Sequence, residues 1–149
     1  MANMFRLIRG EPNSLSLPKY ASDSIDIGDL LFWDSTNSAV RPASAVSGAD
    51  YATKAANFAA AFVGVAMSSH AAGSTDNVLV ATNGDFEFDC PTGTAYVPLD
   101  GVQIGNGSAV ANQTVVKTAT AANMIGKVIA PKAASATKVK VRITTKFML

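Results

Sequence analysis

Scarcity organises a first reading of this chain. It has one cysteine, Cys90, so no intrachain disulfide framework can hold it together. It has one histidine, His70, so metal ligation by sulfur and nitrogen is excluded, and any Ser-His-Asp arrangement would depend on that single base. Charged residues make up 15% of the chain against 48% hydrophobic ones, weighted towards Ala and Val. A surface so poor in charge implies that much of it meets another surface, with Ser, Thr and Asn supplying much of the polarity. The longest apolar stretch, Phe58 to Met67, contains Gly64 and is too short to cross a bilayer. Arg6 and Arg9 near the N-terminus are not followed by an apolar segment, so no signal peptide is read. The expectation is a protein made and kept in a cytoplasm, or assembled there into something larger, with no membrane partner.

Acid is missing altogether from the last third. Residues 1–100 hold all 11 acidic side chains against 5 basic ones, and residues 101–149 hold 7 basic ones. Strands from the two parts could interleave and neutralise one another locally. Alternatively an acidic face and a basic face could meet head to tail between subunits. Nucleic acid is a weak third, because almost no aromatics interleave with the basic residues and no recognised motif accompanies them.

What the chain does contain is a phrase used twice. Phe62-Val63-Gly64-Val65-Ala66, a small-residue connection and Val78-Leu79-Val80 form the first copy. Ile125-Gly126-Lys127-Val128-Ile129-Ala130, a similar connection and Val139-Lys140-Val141-Arg142-Ile143 form the second. Each reads as strand, connection, strand, which suggests a small barrel or sandwich with quasi-repeated halves. Around them, Leu30–Trp33 and Ala39–Pro42 make a hairpin across the turn residues Asp34–Ser38. Asn83-Gly84 is a tight-hairpin signal, and Asp85–Cys90 alternates with period two. Ala95–Leu99, Val102–Ile104 and Gln113–Lys117 read as further strands. One short helix is expected over Ala49–Ala59, with Ser47 to Asp50 at capping-box spacing. The fold class is therefore all-β, a small β-barrel or sandwich with one short helix.

Residues 1–24 read separately, as an extended N-terminal arm, with the single barrel domain over 25–149. Pro12 and Pro18 oppose helix formation there. Phe5, Leu7, Ile8, Leu15 and Leu17 are large apolar residues in a segment too short to build its own core, and so are the candidate interface residues.

No catalytic constellation emerges, and none of the expected sites is catalytic, cofactor-binding or metal-binding. His70 lies in a Ser/Ala/Gly connector with no nucleophile elbow nearby, so a loop histidine is the plainer reading. Asp85, Glu87 and Asp89 share one face of a strand, where carboxylates point in parallel rather than converge on a cation. Their plainer role is the polar face of a half-buried strand carrying Phe86, Phe88 and Cys90 on the other side. The glycines from Gly101 to Gly107 lie between β-type segments, with no helix N-terminus to cradle a phosphate.

The order of phrases then gains meaning. Gly28-Asp29-Leu30, the hairpin closing on Val40-Arg41-Pro42-Ala43, the two copies of the repeat and Gly84-Asp85-Phe86-Glu87-Phe88 occur in a spacing that resembles the small capsid decoration, or cement, proteins of tailed bacteriophages. The resemblance covers about residues 25–145. It implies a β-barrel or β-tulip domain without enzymatic activity or cofactor, forming a homotrimer on the outer surface of the virion capsid. The implied partner is the major capsid protein, held against internal DNA pressure, with an N-terminal arm commonly making the contact. Before assembly the protein would reside in the host cytoplasm. A receptor- or carbohydrate-binding module of a phage tail or fibre is the alternative, and it would call for exposed aromatic or carboxylate clusters on loops. A barrel-based enzyme is the third reading, opposed by the missing constellation.

Overall fold

Alternating apolar residues build strands here that are too short to form a sheet alone, and the chain solves this by closing them into rings. The computed structural model describes residues 7–9, 14–106 and 110–148. The strands are β1 (Leu7–Arg9), β2 (Ser14–Leu17), β3 (Leu30–Asp34), β4 (Ala39–Pro42), β5 (Phe62–Ala66), β6 (Val78–Ala81), β7 (Asp85–Asp89), β8 (Gly101–Asn106), β9 (Val110–Thr118), β10 (Gly126–Val128) and β11 (Lys138–Ile143). One helix, α1 (Tyr51–Ala61), joins β4 to β5. The fold is all-β, as the sequence indicated.

Five strands form the ring β7-β11-β10-β8-β9, closed by a parallel contact between Asp89 of β7 and Thr114 of β9. The free end of the same β7 edge carries β1, with Leu7 opposite Phe86. The other sheet runs β2-β6-β5-β3-β4. It too closes, because the chain leaving β2 crosses to the far edge. There the Val40 amide donates to the Pro18 carbonyl at 2.8 Å and the Tyr20 amide donates to the Val40 carbonyl at 3.4 Å.

The two rings are the same unit built twice. β2, β3, β4, β5 and β6 correspond in order and pairing to β7, β8, β9, β10 and β11. The turn entering β3 recurs before β8 bond for bond. The Asp26 amide donates to Asp29 Oδ2 at 2.9 Å, and the Val97 amide donates to Asp100 Oδ2 at 2.9 Å. Gly28 donates to the Ala66 carbonyl at 2.8 Å, and Leu99 to the Val128 carbonyl at 2.9 Å. The repeated phrase of the sequence is thus the visible part of a longer duplication. Its glycines mark a close approach: a side chain at Gly64 would overlap the Ala81 carbonyl, and one at Gly126 would overlap that of Arg142.

The interiors correspond as well. Leu31, Val40, Val63, Val78 and Val80 fill the first barrel; Val102, Val115, Ile125, Val139 and Val141 hold the same places in the second. The first barrel is also covered on its outer side. Leu30, Phe32, Val65 and Ala81 pack with Ala55, Phe58 and Ala59 of α1 in a layer continuous with the second barrel's core. Burial on both faces explains why Leu30–Phe32 and Phe62–Ala66 are unbroken apolar runs.

Several sequence expectations are corrected. From Ser14 onward the segment read as an arm belongs to the first barrel, with Leu15 opposite Val80 and Leu17 opposite Val78, so no boundary falls at residue 25. Asn83-Gly84 is not a hairpin turn but the joint between the barrels, since β6 and β7 lie in different sheets. Ala95–Leu99 is not a strand: Tyr96 bridges Lys132 and the residues after it turn. The helix is capped by Asp50, whose carboxylate accepts from the Thr53 amide at 2.8 Å, so it starts later than expected.

Three changes test this packing and closure. Gly64→Ala places a side chain at φ +147° against a carbonyl and is expected to lower unfolding free energy by about 3 kcal/mol in denaturant titration. Gly73→Ala, at φ +92° but in open space, should cost only about 1 kcal/mol. Deleting residues 2–18 removes β2 and should unfold the first barrel, seen as loss of β-type circular dichroism; an intact fold would contradict the closed ring.

Candidate interaction surfaces

The side chains that could do chemistry are engaged in structure. His70 Nε2 lies 2.9 Å from Ser68 Oγ, which accepts from the Leu79 amide at 3.0 Å, while the His70 backbone pairs with Ile25. Cys90 is buried; burial pushes its thiol pKa up, against the opposing pull of the Lys132 ammonium. Among the described residues no cluster of three metal-ligating side chains occurs.

The uneven charge of the sequence is partly neutralised inside the fold. β7 and β11 are neighbours, and their register sets Asp85 opposite Arg142, Glu87 opposite Lys140 and Asp89 opposite Lys138. Arg142 grips the buried Asp85 with Nε at 2.7 Å and a second nitrogen at 2.9 Å. Lys138 bonds Asp89, and Lys117 lies 2.9 Å from Asp100. Local neutralisation is therefore present for these pairs, as one of the two sequence readings expected. The three carboxylates of β7 face a row of cations across the ladder, a structural use.

Buried lysines show the same economy. Lys132 Nζ donates to the carbonyls of Pro91 and Thr94 at 3.1 and 2.8 Å. Lys19 Nζ donates to those of Tyr20, Ala21 and Asp23 in the matching loop of the first unit. Two lysines from non-equivalent positions of the duplication tie down the same loop.

Among the described residues two apolar surfaces stand out, one on each unit. The first is a groove of about 540 Å³ at the mouth of the first barrel, lined by Leu17, Trp33, Ala60, Val63 and Phe147 among others. Phe147 is 52% exposed, and Leu17 and Trp33 are only partly buried. The second is the turn before β8, where Val97 is 54% and Leu99 76% exposed. Leu99 holds φ +78° where its counterpart is Gly28 at +97°. A leucine there costs about 1 kcal/mol of backbone strain, and it gains no compensating burial within the chain.

The candidate interface residues of the sequence are dispersed by the fold. Phe5 lies outside the described residues. Leu7 and Ile8 fall in β1, on the edge of β7. Leu17 packs into the first barrel's own interior, and Leu15, on the same face of β2, is 38% exposed. Val97, Leu99 and Phe147 were not singled out by sequence. The available signal was a turn closed by aspartate occurring twice, Asp26–Asp29 and Val97–Asp100, with leucine in the place of glycine. Compared with known proteins, the chain matches no family model and no curated sequence.

The twin aspartates provide a test of how the two turns differ in cover. Asp29 is buried and its pKa is raised, chiefly by desolvation, against hydrogen bonds from Asp26 and Gln113. Asp100 is lowered, first by the Val97 amide and then by Lys117. Carboxyl NMR titration should therefore place Asp29 above and Asp100 below the ordinary value. The signs oppose: the Asp100 contribution to stability is present above the unfolded pKa and lost as pH falls through its folded pKa. That of Asp29 is full below the unfolded pKa and lost as pH rises through its folded one. Equal titration of the two would refute the difference in cover.

Proposed function

We propose that the chain is a structural virion protein, a decoration or cement protein that binds the outside of a tailed-phage head as a homotrimer and braces neighbouring major capsid proteins. The observation that carries this reading is the pairing of two uncovered apolar surfaces with a charge-poor tandem barrel whose reactive side chains are spent on structure. Such a surface works by contact. The order of glycine-anchored phrases that resembles the decoration proteins adds independent support. In this reading the protein is not an enzyme and needs no cofactor.

The arm, on this proposal, is shorter than residues 1–24, because Ser14 to Tyr20 close the first barrel. Residues 1–6, with Phe5 as the apolar anchor, can be removed without touching a described strand.

Sedimentation with empty expanded heads of the phage whose genome carries the chain tests the proposal. The full chain should co-sediment in saturable amounts, and His70→Ala and Cys90→Ala should do so equally. Deleting residues 2–6 should weaken binding about tenfold, the effect of removing one aromatic anchor from an interface. Failure of the full chain to bind heads would end the reading. Undiminished binding by the truncated chain would move the attachment to the barrels.

A further inference from the structure

The duplication places one unit-to-unit interface inside the chain, and that interface shows what each exposed surface lacks. The first unit contributes the 3-10 turn Ala43–Ala45 and the helix α1; the second unit receives them on β8, β9 and the 3-10 turn Ala121–Asn123. The Ser44 amide donates to Asn112 Oδ1 at 2.7 Å, and the Tyr51 hydroxyl donates to the Ile104 carbonyl. Gln103 donates to the Tyr51 hydroxyl at 2.8 Å and accepts from Asn123 at 3.1 Å. Strand pairing matches Ile104 with Trp33, and counting along the chain from the paired strands sets Asn112 and Asn123 at the places of Asn37, in the β3–β4 turn, and Ala61, at the end of α1. Trp33 and Ala61 line the groove, which is thus the receiving surface without its cover.

The turn tells the same story from the other side. In the first unit the turn Asp26–Asp29 is seated on Gln113 of β9, which donates to Asp29 Oδ1 at 2.7 Å and to the Ile27 carbonyl at 3.3 Å. Counting along the chain from Val115, which matches Val40, sets Gln113 at the place of Ser38, beside Asn37 at the end of the β3–β4 hairpin that carries Trp33. Among the described residues the twin turn, Val97–Asp100, has no such seat and presents Val97 and Leu99 outward.

We propose that the turn carrying Val97 and Leu99 docks beside the Trp33 groove of a second copy of this chain, repeating between chains the turn-on-hairpin contact that the first barrel makes on the second within one. The contact is head to tail, so it is heterologous and builds a ring when the rotation per step closes. Three chains would supply six barrels. The inference deepens the proposed function by naming its self-contact, and rests on that reading only in taking copies of the chain to meet. Its driving force is apolar: Asp100 and Lys117 beside the turn are already paired within the chain, and Lys146 is the charged residue among the otherwise mainly apolar lining of the groove.

Analytical ultracentrifugation of the full chain from micromolar to millimolar concentration tests it, with Leu99→Gly and Leu99→Asp alongside. The wild type should self-associate, and raised salt should leave association undiminished. Both variants should associate at least tenfold more weakly. Leu99→Gly should at the same time melt higher at high dilution, since it relieves the positive φ. Leu99→Cys mixed with Ser35→Cys should form intermolecular disulfides that neither variant forms alone. A strictly monomeric wild type, variants that associate like it, or disulfides formed equally well by Leu99→Cys alone would overturn the proposal. If heads are not decorated while this association holds, the capsid reading alone fails.

Discussion

Ring closure is the constraint on which the rest of the structure depends. Strands of three to six residues make up most of both sheets, and an open sheet of that kind leaves unpaired edges and a half-solvated core. The second barrel closes through β7 and β9. The first closes through one continuous segment, Ser14 to Tyr20, which bonds β6 at its start and β4 at its end. That segment gives Leu17 and the valines of β4 and β6 a common interior. Closure also sets the register by which Arg142 meets Asp85 and the acid-free last third neutralises the strand before it.

Once closed, the two barrels differ in cover rather than in plan. The 11-residue α1 stands where the second unit has a three-residue 3-10 turn. The longer element buries the outer face of β3 and β5 and reaches over to β8 of its neighbour. The second barrel therefore has a core continuous with the inter-unit layer, whereas the first barrel's interior is a separate cluster with a partly open mouth. Apolar surface remains where a unit has no neighbour.

Legibility in the sequence followed the same physics. The β class, the first hairpin and the second halves of both units were readable, because alternation and close-packed glycines leave marks within a few residues. The first halves were not. Ile25 and Tyr96, or Leu31 and Val102, fill matching places with side chains of different size, and the turn that unites them uses glycine once and leucine once. Local rules also cannot distinguish a closing strand from a free arm, since Ser14–Leu17 alternates in either role. Pro18 disguised the crossing because its carbonyl, not the amide it lacks, makes the bond. Asn83-Gly84 carried hairpin chemistry at a joint where the chain changes barrels. The candidate surfaces were illegible for a related reason: an exposed leucine in a turn is notable only when its buried counterpart is known.

Native-state hydrogen exchange at Val40 tests the closed tandem barrel most directly. Its amide donates to the Pro18 carbonyl across the seam of the first ring, and Val115 holds the corresponding place in the second. The account predicts that the Val40 amide exchanges only with unfolding of the first barrel, as slowly as the amides of β5 and β6. Exchange at Val40 as fast as at an exposed loop, with β5 and β6 still protected, would show an open sheet and a free arm and would contradict it.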